Sequence, residues 1–297
     1  MTRARIDLAS LPAPEVIETL DYEAILEAML SDLRARDEAF SAVVESDPAY
    51  KILEVAAYRE MLLRQRVNDA ARSVMLAFSS GSDLDHLAAL FGVSRLVADA
   101  GNPAAIPPIP PTMESDKRLR YRAQMAFEGL SVAGPVGAYE FHALGASGQV
   151  KDVSIQSPAP GRVDVIVLSQ AGDGTPDAEL LGVVEGCVNR DDVRPLTDEV
   201  AVIAAEIIHY DLAATLILYE EPDASVVLAA SRSAAQSHVA NQHALGRDIT
   251  LSGLYAALHQ TGVQKVILTS PADNIVVSPY QAAWCDSVNV EVGGWDE

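Results

Sequence analysis

The sequence predicts an α+β fold, with an N-terminal long-helix region followed by two small α/β domains related by a weak internal repeat. Three features carry this prediction. Apolar residues recur every three or four positions from Pro48 to about Phe78 with no interrupting Gly or Pro, the period of an amphipathic helix. Pro103, Pro107, Pro108, Pro110 and Pro111 then crowd into one short stretch, a break in regular structure. Beyond Gly134-Pro135, short β-branched runs alternate with helical stretches, as small α/β units do. The expected domains are a helical region over 1–98, a stiff extended connector over 99–113, and α/β domains over 114–206 and 207–297.

Residues 1–19 lack a sustained period and read as a mobile or partner-ordered arm. Asp21 is placed to cap a first helix, with Leu20 and Ile25 as its hydrophobic staple. Asp47-Pro48 restarts the chain as N-cap and first helical residue. A helix of about thirty residues from there spans about 45 Å, more than one short neighbour can cover. Its stripe of Ile52, Ala56, Leu63, Val67, Ala70 and Val74 is therefore the candidate intersubunit seam, widened by Val55, Met61 and Leu62. Arg59, Arg64, Arg66 and Arg72 fall among these residues and read as a solvated flank, with an acidic partner as the sharper alternative. Gly81 is expected to close this helix, and Ser82–Asp85 to open a short one that Gly92 ends. A helix over about 114–128 carries Lys117, Arg118, Arg120 and Arg122 near its start, against the helix dipole.

The α/β part is expected to contain helix 135–146, strands 150–155 and 162–168, a helix opened by Thr175-Pro176, and strand 199–205. Strand 207–219, helices 223–241 and 249–260, and strands near 263–269, 275–277 and 288–292 follow. The stretch from Gly148 to Pro158 echoes Gly262 to Pro271, each copy preceded by a helix bearing a tyrosine, Tyr139 or Tyr255.

Charge narrows the function. The net charge is −21, and most of the excess lies beyond residue 122, which disfavours phosphate backbones and anionic lipid as partners. Two cysteines, Cys187 and Cys285, make no disulfide framework. No run is long and apolar enough for a membrane span, and the first ten residues have no secretory apolar core. Metalloprotease, nucleophile-elbow, phosphate-loop and paired-cysteine motifs are all missing. His238 and His243 are five apart, off the i,i+4 spacing of a ligand pair. Asp83, Asp85 and His86 form a sequence-local trio without a distant fourth metal ligand, and helix capping accounts for both aspartates. The turn from Gly172 to Pro176 reads as a helix start rather than an anion cradle, and Cys187 as core filler. No catalytic residue, cofactor or metal is expected. Tyr280, Trp284 and Trp295 are candidate C-terminal interface anchors, because aromatics are otherwise scarce.

Four segments resemble a known family. Glu45–Ala71 (ESDPAYKILEVAAYREMLLRQRVNDAA), Gly81–Val93 (GSDLDHLAALFGV), Ala126–Leu144 (AFEGLSVAGPVGAYEFHAL) and Arg194–Asp198 (RPLTD) are similar to the baseplate assembly protein J family of contractile-tailed bacteriophages. The resemblance runs from about Leu11 to Val292. It implies a structural subunit of the tail baseplate wedge, in the virion, assembled in the host cytoplasm. Its implied partners are a second copy of itself, a second wedge protein met through N-terminal helix bundling, and neighbouring wedges in a sixfold ring closed by C-terminal contacts. Many relatives insert a β-rich domain where this chain has only its Pro-rich stretch. The alternatives from other classes are an enzyme with a dispersed site in the acidic α/β half, and an assembly adaptor absent from the finished particle.

Overall fold

The computed structural model describes residues 8, 11–12, 14–220 and 223–296. It is mixed α+β and divides into two compact units, residues 1–94 with 115–123, and residues 95–114 with 124–297. Among the described residues, no helix is long and apolar enough to cross a membrane.

In the first unit, α1 (Tyr22–Arg36) starts at Asp21, whose carboxylate accepts from the amides of Glu23 and Ala24, as an N-cap should. α2 (Pro48–Ser73) follows, with Asp47 at the N-cap position and Pro48 in the first turn. The Asp47 carboxylate turns back to the Val44 amide, at 3.0 Å, instead of capping. Leu26, Leu30 and Ala57 form a small core with Tyr22, Ile25, Met29, Tyr50 and Leu53 packed on it. Asn68 extends the contact: its side chain accepts from the Glu18 amide at 3.0 Å and donates to the Glu18 carbonyl at 2.8 Å. That clamp fixes the end of the expected mobile arm. Residues 1–7, 9–10 and 13 of the arm lie outside the described residues.

The long helix is shorter than expected. It ends at Ser73, so Val74 is its C-cap and Gly81 does not close it. Gly81, at φ +54°, is instead the first residue of α3 (Gly81–Ala89), behind Ser80. The intervening turn persists because its carbonyls find donors. From α4 (Asp116–Met125), Arg120 donates to the Leu76 and Ser79 carbonyls, and Arg122 to that of Ser94. Arg120 and Arg122 thus tie this turn together through its backbone oxygens. Gly92 does end α3. At φ +72° it donates to Ala89 while Val93 donates to Ala88, a Schellman closure.

The Pro-rich stretch is no extended strut. β1 (Val97–Asp99) pairs antiparallel with β2 (Thr112–Met113), and Asn102 bridges Ile109, so the chain goes out and returns. Its base lies against Gly148, where an added Cβ would sit 2.0 Å from the Val97 carbonyl oxygen. Only a glycine admits two backbones this close.

The rest of the second unit holds α5 (Val136–Ala146), β3 (Val150–Ala159), β4 (Arg162–Ser169), α6 (Ala178–Val188) and β5 (Glu199–Ala204). β6 (Glu206–Leu218), α7 (Ala224–Gln242), α8 (Leu251–Leu258), β7 (Val263–Ser270) and β8 (Gln281–Trp295) complete it. Two three-stranded sheets result, ordered β3-β4-β5 and β7-β6-β8. Each has a central strand with an antiparallel neighbour on one side and a parallel neighbour on the other. The echoed segments become β3 and β7, the two antiparallel edge strands, each directly after a helix. Chain order differs, since β4 reaches its parallel neighbour through α6 whereas β6 is followed by α7, α8 and β7. The segment 275–277 is no strand; Ile275 makes a single bridge to Ile249. The expected strand at 288–292 is the middle of the long β8.

Leu212, Leu216, Leu218, Leu254, Leu258 and Val290 are fully buried in the larger core. A second cluster of Ile166, Leu168, Ala205 and Ala282 joins the two sheets. On the first sheet, the Tyr139 hydroxyl donates to Asp198 at 2.9 Å. Burial, then that carboxylate, holds the phenol's pKa well above its ordinary value. Two of the segments that carry the family resemblance thus meet in one hydrogen bond.

Candidate functional site

Two faces of α2 divide the helix. Tyr50, Leu53, Ala57 and Asn68 turn to α1 and the arm. The sequence-predicted stripe turns the other way. Ile52 is 69% exposed, Leu63 68% and Val67 62%. Ala70 is exposed beside them and Ala56 half-buried. Val74 is also exposed but sits past the last helical turn. Projected at about 100° per residue, Val55, Tyr58 and Leu62 extend the same exposed arc, and all three are at least 40% exposed. Scattered exposed apolar residues are ordinary; here they gather on one face of a helix whose other face is packed. Tyr58 was missed by the stripe because a tyrosine midway between apolar positions reads as either flank.

The C-terminal aromatics do not act together. The Tyr280 hydroxyl donates to the buried Asp164, at 3.1 Å, which also pairs with Arg162. Trp284 meets His243 edge-on, ring centroids 4.9 Å apart. Trp295, 58% exposed, alone of the three turns outward.

The polar groups of chemical interest are mostly engaged in structure. The Lys151 amine and His243 Nδ1 approach to 2.6 Å. Burial first, and the Lys151 charge second, push the His243 pKa down to about 4 against the pull of Asp173. Burial likewise lowers the Lys151 pKa. Asp152 accepts from the Leu245 amide, so this polar pair and carboxylate tie the two halves of the unit together. His209 lies 2.9 Å from Asp286 and 3.5 Å from Asp173, and its hydrogen bond to Asp286 raises its pKa. The sequence does not reveal these pairs, because their members lie far apart in the chain.

The loop from Gly172 to Pro176 is a turn, in which Asp173 accepts from the Thr175 amide. Asp177, not Thr175, caps α6 through the Leu180 amide at 2.8 Å, so a carboxylate already occupies that helix N-terminus. Cys187 donates to the His142 carbonyl, and burial raises its pKa, opposite to what a nucleophile needs. Among the described residues, no group of three or more His, Cys, Asp or Glu side chains is arranged to hold a metal. A groove of about 410 Å³ runs along α1, with Ala24, Ile25, Ala28 and Met29 in its floor. Its charged groups are Asp21, which caps α1, Asp32, paired with Arg36, and Glu60, paired with Arg64.

Comparison with known proteins agrees along the whole chain. Three family models match in order: the Baseplate J-like N-terminal domain over residues 45–102, the Baseplate J-like central domain over 131–204, and the Baseplate J-like protein C-terminal domain over 210–291. The chain is 46% identical over 299 residues to Baseplate protein J of Escherichia phage P2, covering 98% of this chain and 99% of that one. The match joins the exposed helix α2, the sheet of β3-β4-β5 and the sheet of β7-β6-β8 in a single assignment: this chain belongs to the baseplate J family of bacteriophage tail proteins.

Proposed function

We propose that this chain is a structural wedge subunit of a contractile tail baseplate and that the exposed face of α2 is its assembly seam. The reading rests above all on Ile52, Leu63 and Val67, apolar side chains left more than 60% exposed on a helix whose opposite face is already packed. Removing such a surface from water is the main driving force of association. In this reading residues 1–98 form the bundling region. Residues 114–206 and 207–297 are the two α/β domains whose contacts with neighbouring wedges close a sixfold ring, Trp295 being the available aromatic anchor. A second copy of the chain and a second wedge protein are the partners, assembly takes place in the host cytoplasm, and no catalytic step is involved. An enzymatic reading has little support, because the described polar clusters are caps, clamps and buried pairs.

Leu63→Asp tests the seam. The purified variant should keep its helical and sheet signals and its thermal midpoint, yet disappear from purified tails. A variant that enters tails as the parent does would place the seam elsewhere.

A further inference from the structure

The exposed arc of α2 is apolar at its flanks and cationic along its middle. Ile52, Arg59 and Arg66 are seven residues apart, so they stack nearly on one line, with about 20° of drift per heptad. Val55, Tyr58 and Leu62 lie to one side of that line, and Leu63 and Val67 to the other. Arg64 pairs with Glu60 and Glu18, Lys51 with Glu54, and Arg72 with Asp69. Arg59 and Arg66 are exposed and, among the described residues, have no hydrogen-bond or ion-pair partner.

We propose that the helix covering this face belongs to a different chain and presents two carboxylates one heptad apart within an apolar stripe. The proposal rests on α2 being an assembly seam. A seam that closes over Arg59 and Arg66 removes two charges from water, which is strongly unfavourable unless each is paired. Carboxylates suit a guanidinium best, since its planar fork takes both oxygens at once. The two arginines are about 10 Å apart along the axis, which sets the spacing of the acids they call for.

A second copy presenting this same face is the wrong occupant. A two-fold contact puts the same patch on both sides. Parallel pairing sets Arg59 on Arg59, and antiparallel pairing centred on Leu62–Leu63 sets Arg59 on Arg66. Like charges meet in both of these arrangements, and such juxtaposition disfavours a partner. The positions of the arc from Ile52 to Ala70, namely 52, 55, 56, 58, 59, 62, 63, 66, 67 and 70, contain no Asp or Glu that could relieve it. If two copies of the chain enter one wedge, each uses this face for the other protein.

The test uses tails assembled with the full chain carrying photo-reactive benzoylphenylalanine at Leu62 or, separately, at Ala70. The cross-linked peptide is sequenced by mass spectrometry. It should come from another tail protein, in a helical segment with Asp or Glu seven residues apart. A peptide from this chain, or one with no acid within a helical turn, overturns the proposal. Charge variants give a second measurement. Arg59→Glu/Arg66→Glu should lower incorporation into tails by about 100-fold or more, and Arg59→Lys/Arg66→Lys by less than about tenfold, with thermal midpoints unchanged in both. Full incorporation of the charge-reversed chain, while Leu63→Asp is excluded, would keep the seam and remove the acidic partner. Normal entry of Leu63→Asp with no cross-link from either position would remove the seam itself.

Discussion

α2 and β6 are two of the most regularly apolar segments of the chain, and the structure treats them in opposite ways. In β6, Leu212, Leu216 and Leu218 are completely buried between the sheet and the helices over it. In α2, Ile52, Leu63 and Val67 are more exposed than buried. Periodicity states that a face is apolar, and it is silent on what covers that face. In β6 the cover is local, supplied by α7 and α8 within the next forty residues. Among the described residues, α1 and the clamped arm take the face of Leu53, Ala57 and Asn68.

Charge placed on the buried side of either element should have the largest effect. Leu216→Asp in β6 and Ala57→Asp in α2 each put an unpaired carboxylate at a position with no exposure. Several kcal/mol is the expected cost. Denaturant melts should show the α/β unit lost in the first case and the helical hairpin in the second. A near-native midpoint for Ala57→Asp would mean that α1 is not held as closely as Leu26, Leu30 and Ala57 imply.

Next in size is the acid response of the α/β unit. His243 titrates at about 4 in the fold and near 6.5 when unfolded. Its folded pKa is depressed, so the associated stability is complete above 6.5 and is lost as pH falls from 6.5 through 4. The span corresponds to about 3 kcal/mol. The His243→Gln variant should lack this component. Melts of parent and variant at pH 7.5 and 4.5 measure it, and an equal drop in both would show that His243 is not what the acid reaches. No comparable response is expected from α2, whose exposed arc carries arginines and no histidine.

Asn68→Ala comes third. It leaves the Glu18 amide and carbonyl without their side-chain partner, a loss of about 1–3 kcal/mol if water does not replace it. Faster amide exchange at Glu18, with the α/β unit unchanged, is the expected signature.

These differences bear on how much of the molecule is legible in its sequence. The order of helices and strands, and the cap at Asp21, follow from local patterns. So does the weak repeat, because the echoed segments take the same place at a sheet edge. Other features depend on partners distant in the chain. α2 stops at Ser73 because Arg120, more than forty residues later, satisfies the carbonyls of the turn. The Pro-rich stretch returns on itself through the pairing of β1 with β2, and its base packs on the distant Gly148. Of the candidate interface aromatics, Tyr280 and Trp284 are taken up by Asp164 and His243, neither of them near in sequence. The exposed face of α2 was more legible, since a helix face is defined by spacing alone. Two of its details were not: Val74 lies beyond the helix, and the arc extends to Tyr58.

The smallest expected change in the isolated chain is the most informative about the comparison. Leu63→Asp and Ala57→Asp put the same charge on the same helix, six residues apart. Leu63 is 68% exposed and Ala57 is fully covered. On the exposed side the new carboxylate stays hydrated, so no burial cost arises. What remains is the difference in helix propensity between Leu and Asp, several tenths of a kcal/mol, partly offset by attraction to Arg59 and Arg66 one turn away. The thermal midpoint of the free chain should therefore shift by little more than about 0.5 kcal/mol equivalent, against several for Ala57→Asp. A large loss in the free chain would show that the exposed stripe is covered within the chain in solution, and the contrast between α2 and β6 would vanish. A small shift leaves Leu63 uncovered in the free chain, as the proposed seam requires.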